Sequence, residues 1–435
     1  MRTKYMQILI LALVCTTFAG AKAKEKLLFS FNLTDGNLPN AGLVADKQGN
    51  LYGTTSYYGG KYGYGNVFEL SPTKSGGWKE TVLHDFTGKD GAYPLDSLIL
   101  DAAGNLYGTA QVGGKGTCTN NGLGCGVAFK LSHGKSGWTE TVLYSFVPGK
   151  TKGVIPVGGL VFDGKGNLYG TTWAPGILGG PLYARTRGGS RNTFWGCNKP
   201  GCGGMVYKLA PTKNGWKETD IYAFTGGNDG SASQASLVFD AAGNLYGTTV
   251  YGGTTGCASG FGCGVVFKLT PANKGWKEAT LYRFTGAGDG AYPMGSVLFD
   301  TAGNIFSTGS AGGSSGKGVV FEMTLSGQKW IEAVLYNFSG GSDGGSPFAT
   351  LISDNRGNFY GTTTQGGDGY QSGVLYQLSP SGGGWTEKVL HIFTHVGNDG
   401  QSPAAPVLLG AKGQLYGTTQ SGGAFNQGTV FEIIP

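Results

Sequence analysis

The stretch Gly49-Asn50-Leu51-Tyr52-Gly53-Thr54-Thr55 recurs in near-copies seven times along this 435-residue chain. The copies begin at Gly49, Gly104, Gly166, Gly243, Gly303, Gly357 and Gly413. Their aromatic positions follow one another at intervals of 54 to 77 residues. A repeat of this length indicates one supersecondary unit stacked many times, so we interpret the chain as a single array.

Each repeat predicts four antiparallel strands, which we name A to D. In the first unit, a short apolar run at 43–45 precedes an Asp-x-x-Gly-Asn turn, which is typical of a tight hairpin. The repeated motif supplies strand B, the run at 66–70 supplies strand C after a glycine-rich loop, and the alternating segment at 78–86 supplies strand D. No helical period is present in the unit.

Seven such units predict an all-β fold, a seven-bladed β-propeller of four-stranded antiparallel blades. The last unit ends on its third strand, at 430–433. The segment 25–31 matches 80–86 in register, so we expect the N-terminal strand to complete the last blade and close the ring. An open solenoid would need capping repeats instead.

Three motif blocks recur in fixed order: Gly-Asn-Leu-Tyr-Gly-Thr-Thr, Val-Phe-x-Leu and Gly-Trp-x-Glu-x-x-Leu-Tyr-x-Phe. In these blocks the chain resembles the Gloeobacter/Verrucomicrobia-type tandem-repeat proteins, also called GloVer or choice-of-anchor repeat proteins. The resemblance implies an exported bacterial protein, often with a C-terminal anchoring segment, although this sequence ends on a strand. It implies no common activity and no catalytic residues.

Residues 1–23 predict a secretory signal peptide, with a basic start at Arg2 and Lys4, an apolar run over 6–18 and a small-x-small cleavage site at 21–23. The run is too short for a membrane span, so none is predicted in the mature chain, 24–435. Cleavage lowers the formal net charge from +6 to +3, and without a basic tract we expect no nucleic-acid partner. We expect a secreted, periplasmic or cell-surface monomer.

Six cysteines of the mature chain form three local pairs, each within one loop of consecutive repeats: Cys118 and Cys125, Cys197 and Cys202, Cys257 and Cys263. Export, an even count and local pairing favour three disulfides. A metal site is the alternative, but the spacings are irregular and no histidine neighbours a pair.

The topology predicts that the B–C and D–A connections emerge on one face, which we call the loop face. That face receives an insertion from about Trp173 to Cys202 in the third repeat. The candidate ligand-binding residues are aromatic and basic: Trp173, Tyr183, Arg185, Arg187, Arg191 and Trp195. Such a lid could present guanidinium groups to carboxylates or sulfates and ring faces to sugars, or it could be a decorated loop pinned by its aromatics.

Other aromatic residues are predicted on the same face: Tyr57, Tyr58, Tyr62, Tyr64, Tyr93, Tyr251, Phe261, Tyr292, Tyr370 and Phe425. Aromatics on glycine-rich loops form adaptable binding surfaces, although such loops also need anchors. Together with the insertion they favour a sugar or glycopeptide ligand.

Catalytic patterns are sparse. No histidine cluster has metal spacing, and the recurring Asp-Gly elements (for example Asp90-Gly91) are better explained as turns than as calcium ligands. We therefore expect no metal and no cofactor, and a non-catalytic binding module for extracellular carbohydrate or a surface partner. The alternatives are a carbohydrate-active enzyme, either a polysaccharide lyase or a glycoside hydrolase, and a structural surface-display protein.

Overall fold

The computed structural model describes residues 23–118, 122–149, 153–175, 203–254, 256–257 and 260–435. These residues contain strands and turns but no helix, and so none that could cross a membrane. The strands form seven antiparallel sheets arranged as the seven blades of a propeller, so the predicted fold is confirmed.

The first two strands of each blade are a short strand A and the strand B that carries the repeated motif. Strands A are Val44–Ala45, Ile99–Leu100, Val161–Phe162, Val238–Phe239, Leu298–Phe299, Ile352–Ser353 and Leu408–Leu409. Strands B are Leu51–Thr55, Leu106–Ala110, Leu168–Pro175, Leu245–Thr249, Ile305–Gly309, Phe359–Thr363 and Leu415–Thr419.

The outer two strands are longer. Strands C are Asn66–Pro72, Val127–Gly134, Met205–Thr212, Val265–Pro271, Val319–Ser326, Val374–Ser381 and Thr429–Ile434. Strands D are Trp78–Asp85, Gly137–Ser145, Gly215–Ala223, Trp276–Arg283, Lys329–Asn337, Gly384–Ile392 and, for blade 7, Lys24–Ser30. Additional short strands are Gly153–Pro156, which makes blade 3 five-stranded, and the pair Gly400–Gln401 and Ser421–Gly422.

The ring closes as predicted. Lys24–Ser30 pairs antiparallel with Thr429–Ile434 and skips one residue between Leu27 and Phe29. The other blades carry the same irregularity between strands C and D, so the N-terminal strand reproduces even the local bulge of the repeat. The Thr418 hydroxyl also donates to the Ala41 carbonyl at 2.9 Å, which joins blade 7 to blade 1.

An Asp in the A–B turn of six of the seven blades explains the motif that follows it. Asp46 accepts hydrogen bonds from the Gln48 and Asn50 amides, the Asn50 side chain and the Tyr52 hydroxyl, at 2.8 to 3.0 Å. Gly49 takes a φ of +85°, which favours glycine. One carboxylate thereby fixes both the turn and the first residues of strand B.

The core lies between blades, where an aromatic ring that follows strand D meets an aromatic ring in strand C of the next blade. Phe86 packs edge-on against Phe129 with ring centroids 5.1 Å apart, and Phe31 packs against Phe68 at 5.0 Å across the closure. Equivalent pairs occur at the other five interfaces: Phe146–Tyr207, Phe224–Phe267, Phe284–Phe321, Phe338–Tyr376 and Phe393–Phe431. Burial of these rings stabilises the ring of blades.

Candidate functional site

The loop face is one continuous surface, because the D–A loop that enters a blade pairs with the B–C loop of that blade. Ala92 pairs with Val112, Ser231 with Tyr251, Ala291 with Ala311, and Gly345 with Gln365. In blade 7 the same contact is the two-stranded pair of Gly400–Gln401 with Ser421–Gly422.

Seven non-glycine residues of the D–A loops share a left-handed backbone, with φ between 52° and 62°: Leu38, Tyr93, Ile155, Ala232, Tyr292, Ser346 and Ser402. Hydrogen bonds on both sides hold this conformation. The Tyr93 amide donates to the Tyr64 carbonyl of the preceding blade at 2.8 Å, and its carbonyl accepts from Gln111 at 3.1 Å. Because the strain recurs in every blade, it belongs to the scaffold.

A pocket of about 370 Å³ lies on the loop face at the closure between blades 7 and 1. Its lining residues come from both D–A and B–C loops: Asn37, Leu38, Tyr57, Tyr58, Gln401, Ser421 and Asn426. Their side chains offer amides, hydroxyls and aromatic rings, and no charged group is among them. Chemically this is a neutral, hydrogen-bonding pocket.

The walls of this pocket are held in place. The Asn37 amide donates to the Tyr57 carbonyl at 2.8 Å, and the Tyr57 hydroxyl donates to the Gln111 side chain at 2.8 Å. Tyr57 packs against Tyr93 with ring centroids 4.4 Å apart, and burial raises the pKa of its hydroxyl far above the ordinary value.

Two other lining residues, Tyr58 and Asn426, also have a left-handed backbone, with a φ of 57°, in B–C loops. Asn accepts this conformation more easily than most residues, whereas Tyr holds it at a cost. The Tyr58 side chain is nevertheless 60% exposed.

Exposed aromatic residues surround the same sector. Phe425 is 58% exposed in blade 7, Tyr62 is 49% exposed in blade 1, and Tyr370 is 70% exposed in blade 6. Tyr370 packs against the His395 ring, whose Nδ1 lies 3.5 Å from the Asp368 carboxylate. An accumulation of exposed rings on neighbouring blades is typical of a binding surface.

Asp96 is a carboxylate that departs from the repeat. The equivalent residues of the other units are all Ala or Gly: Ala41, Gly158, Ala235, Gly295, Ala349 and Ala405. The Asp96 carboxylate accepts from the amides of Ser97, at 2.6 Å, and Gly159, at 2.5 Å, and from the Ser236 hydroxyl at 3.2 Å. Asp96 keeps partial solvent access, but protein surrounds its carboxylate, and this burial raises its pKa.

Asp96 belongs to blade 2, while Gly159 and Ser236 lead into strands A of blades 3 and 4. A contact that skips a blade requires a position near the axis of the ring. Sequence reasoning missed Asp96, although alignment of the seven units would have shown one acid in a column of small residues.

A family model for the Gloeobacter/Verrucomicrobia repeat matches three overlapping ranges, 16–183, 179–351 and 254–435. Together they cover nearly the whole chain. The chain belongs to the Gloeobacter/Verrucomicrobia repeat family. Among curated proteins, none matches this repeat protein.

Solved structures similar to this repeat protein are distant in sequence. PorZ, a surface component of the type-IX secretion system of Porphyromonas gingivalis, is 14% identical, with a TM-score of 0.49, over 93% of this chain and 48% of PorZ. A Dyadobacter fermentans protein of unknown function is 12% identical, with a TM-score of 0.43, over 95% and 97%. The Trypanosoma rangeli sialidase is 12% identical, with a TM-score of 0.38, over 84% and 56%. Similarity at this level gives no information about activity.

The predicted insertion site of this repeat protein is only partly described. Trp173 lies in strand B of blade 3, which extends to Pro175 and pairs with Gly153–Pro156, and it is half-buried against the neighbouring core. The other candidates lie outside the described residues: Tyr183, Arg185, Arg187, Arg191 and Trp195.

Two of the three predicted disulfides of the repeat protein are present. Cys118 bonds Cys125 with a Cα separation of 4.9 Å, and Cys257 bonds Cys263 with a Cα separation of 5.4 Å. Cys197 and Cys202 lie outside the described residues. Disulfides of this kind are typical of extracellular and periplasmic proteins.

Proposed function

We propose that this protein is an exported, non-catalytic binding module that takes a neutral carbohydrate in the pocket between blades 7 and 1. The observation that carries the proposal is the lining of that pocket. Amides and hydroxyls match the hydroxyl groups of a sugar, and Tyr58 offers an exposed ring face for its apolar side.

The backbone of the pocket supports the same function. Tyr58 has a left-handed backbone with a φ of 57°, and backbone strain at a residue other than glycine tends to gather at ligand sites. Asn426 is fixed from within its own loop, because its side-chain oxygen accepts from the Gly422 amide at 3.1 Å. Because the backbone and side chains of such a pocket are already fixed, less conformational entropy is lost when a ligand binds.

A glycan array with neutral and anionic oligosaccharides tests the proposal, followed by calorimetry with the best ligand. The variants Tyr58→Gly and Asn426→Gly remove the side chains while glycine keeps the left-handed backbone. Each should weaken binding by about tenfold or more, which corresponds to about 1.4 kcal/mol. Lys61→Ala, in the same loop but outside the pocket lining, is the matched control and should bind like the wild type.

The insertion predicted from sequence is the competing site. Deletion of residues 177–196 leaves the paired part of strand B intact. Binding that survives both glycine variants and disappears on this deletion would move the site to the insertion.

The second candidate function, a carbohydrate-active enzyme, draws support from Asp96 alone. A raised pKa suits a general acid, and a catalytic group is expected to break the symmetry of a repeat. The three hydrogen bonds that Asp96 accepts argue for a structural role instead. Turnover of any bound glycan that is lost in Asp96→Ala, with binding retained, would favour the enzyme.

A further inference from the structure

A group of three side chains recurs where the outer strands of neighbouring blades meet. It consists of a Tyr or His on strand D, the Asp of the following Asp-Gly turn, and a Glu on strand D of the next blade; we call it the interface triad. Three interfaces have the Tyr form: Tyr222–Asp229–Glu278, Tyr282–Asp289–Glu332 and Tyr336–Asp343–Glu387. In each of them the Tyr hydroxyl donates to the Asp carboxylate at 2.9 to 3.1 Å.

Two interfaces have the His form. Between blades 1 and 2 it consists of His84, Asp90 and Glu140. Between blades 6 and 7 it consists of His391, Asp399 and Glu25. In both groups one imidazole nitrogen and one oxygen from each carboxylate lie within 4.8 Å of one another.

We propose that the two His-form triads bind divalent transition-metal ions, with Zn²⁺ as the representative ion. One imidazole and two carboxylates are ligands that zinc accepts, and three protein ligands leave one coordination position for water. Zinc bonds to N and O ligands of about 2.0 to 2.2 Å place tetrahedral ligand atoms roughly 3.3 Å apart. The separations between imidazole Nε2 and Asp Oδ2 are 3.2 Å for His84 and 3.3 Å for His391.

In the structure each imidazole also forms a hydrogen bond with its Asp carboxylate, at the long end of the usual range. A charge-assisted N–H···O bond is about 2.7 to 2.9 Å long. The Asp carboxylates are already held without the imidazole, because Asp90 accepts from the Thr87 amide and hydroxyl at 2.8 Å. Asp399 accepts from the Thr394 amide at 2.8 Å and the Gly400 amide at 2.7 Å. The ligands are thus positioned by the scaffold.

The Glu of the triad between blades 1 and 2 has coordination capacity left. Among the described residues, Glu140 Oε1 is buried without a hydrogen-bond partner. The same oxygen is without a partner in two Tyr-form interfaces, at Glu332 and Glu387. The imidazole, which replaces a weakly coordinating phenol, is therefore what distinguishes the two proposed sites.

The second site has a structural consequence. Glu25 lies on the N-terminal strand that closes the ring, and His391 and Asp399 belong to blade 6 and the loop after it. A bound ion would join the first strand of the chain to the neighbouring blade. Because the ion binds only the folded ring, it should raise the midpoint of thermal unfolding.

The proposal is tested by measuring the number of metal ions bound per chain. The protein used begins at Lys24, carries no affinity tag and has been stripped of metal with EDTA. After equilibration with Zn²⁺ and gel filtration, the wild type should retain two ions per chain. His84→Tyr and His391→Tyr should each retain one, and the double variant none. Tyr stands at the equivalent position of strand D in four other blades, so the variants should unfold at the wild-type temperature in EDTA.

Two further measurements sharpen the result. Zn²⁺ should raise the unfolding midpoint of the wild type and of His84→Tyr more than that of His391→Tyr, because only the second site involves the closing strand. Tyr336→His should create a third site with Asp343 and Glu387. Retention of equal zinc by the wild type and the double variant would overturn the proposal. A stoichiometry that stays at two in Tyr336→His would show that the triad is not a sufficient ligand set.

Discussion

The Asp96 carboxylate accepts a hydrogen bond from the Ser236 hydroxyl at 3.2 Å, although the two residues belong to blades that are not neighbours. Gly159, in the blade between them, donates its amide to the same carboxylate oxygen. Two equivalent amides use a hydroxyl from the next blade instead. Gly42 donates to Ser97 Oγ at 3.0 Å, and Ser296 donates to Thr350 Oγ1 at 2.8 Å. Asp96 thus replaces the usual acceptor in one sector of the ring.

This arrangement predicts that substitutions of Asp96 and Ser236 have non-additive effects on the free energy of unfolding. In Asp96→Ala the Ser236 hydroxyl can accept the Gly159 amide, as two of its equivalents do, so we expect a loss of less than about 1 kcal/mol in the free energy of unfolding. In Ser236→Ala the carboxylate remains as acceptor. The double variant leaves the amide without a partner and should lose about 1 to 3 kcal/mol. Denaturant unfolding of all four proteins measures the coupling, and additive losses would contradict the shared-acceptor model.

The close packing around the glycine inside the repeated motif predicts that alanine at this position lowers the stability of the fold. A Cβ at Gly247 would lie 2.7 Å from the Phe267 ring, so the motif needs glycine for space rather than for backbone freedom. Gly247→Ala should therefore cost about 1 to 3 kcal/mol through overpacking. Gly288→Ala is the matched control, because nothing lies within 4 Å of its Cβ. The control should keep or slightly raise the unfolding midpoint; equal losses in both variants would refute the packing argument.

Much of the fold could be predicted from the sequence, because the recurring motifs give the number of blades and the order of the strands within each blade. The Asp-x-x-Gly-Asn turn, the strand order and the closure at 25–31 are local patterns, and their pairing follows from the ring. The insertion drew attention to blade 3 because it is the largest departure visible along the chain.

The pocket could not be predicted in the same way. It joins Asn37 to Asn426, which become neighbours only when the ring closes. The interface triads also escaped prediction, and the expectation of no metal rested on spacing along the chain. His84 and Asp90 are six residues apart, but Glu140 comes from the next repeat. Side chains that meet across blades are far apart along the chain, so no short spacing in the sequence indicates the site they form.

A buried hydroxyl predicts a stabilising substitution. Tyr376 Oη is fully buried and has no hydrogen-bond partner among the described residues, while five equivalent positions carry Phe. Tyr376→Phe removes the unsatisfied group and should raise the free energy of unfolding by about 1 kcal/mol. Tyr360→Phe is the control and should lower the free energy of unfolding, because it removes the hydrogen bond to Asp354 at 3.1 Å. A loss of stability in Tyr376→Phe would indicate an acceptor for this hydroxyl.

The glutamates of the Tyr-form interfaces predict how stability depends on pH. Burial, and then the charge of Asp289, raises the pKa of Glu332 to about 7, and burial with Asp343 does the same for the pKa of Glu387. Such a group binds its proton more tightly in the folded state than in the unfolded state. Its contribution to stability is complete below the unfolded pKa of about 4.5 and is lost as the pH rises through about 7.

The unfolding midpoint measured in EDTA should therefore fall between pH 5 and pH 8. Glu332→Gln removes one titrating group and should make this fall smaller. Asp101→Asn is the contrasting variant, because hydrogen bonds from Asn105 and Tyr107 outweigh burial and lower the pKa of Asp101. Asp101 is ionised in both states over this pH range, so its loss should lower the midpoint equally at pH 5 and pH 8. Equal pH slopes in the wild type and Glu332→Gln would show that Glu332 does not titrate with a raised pKa in the folded protein.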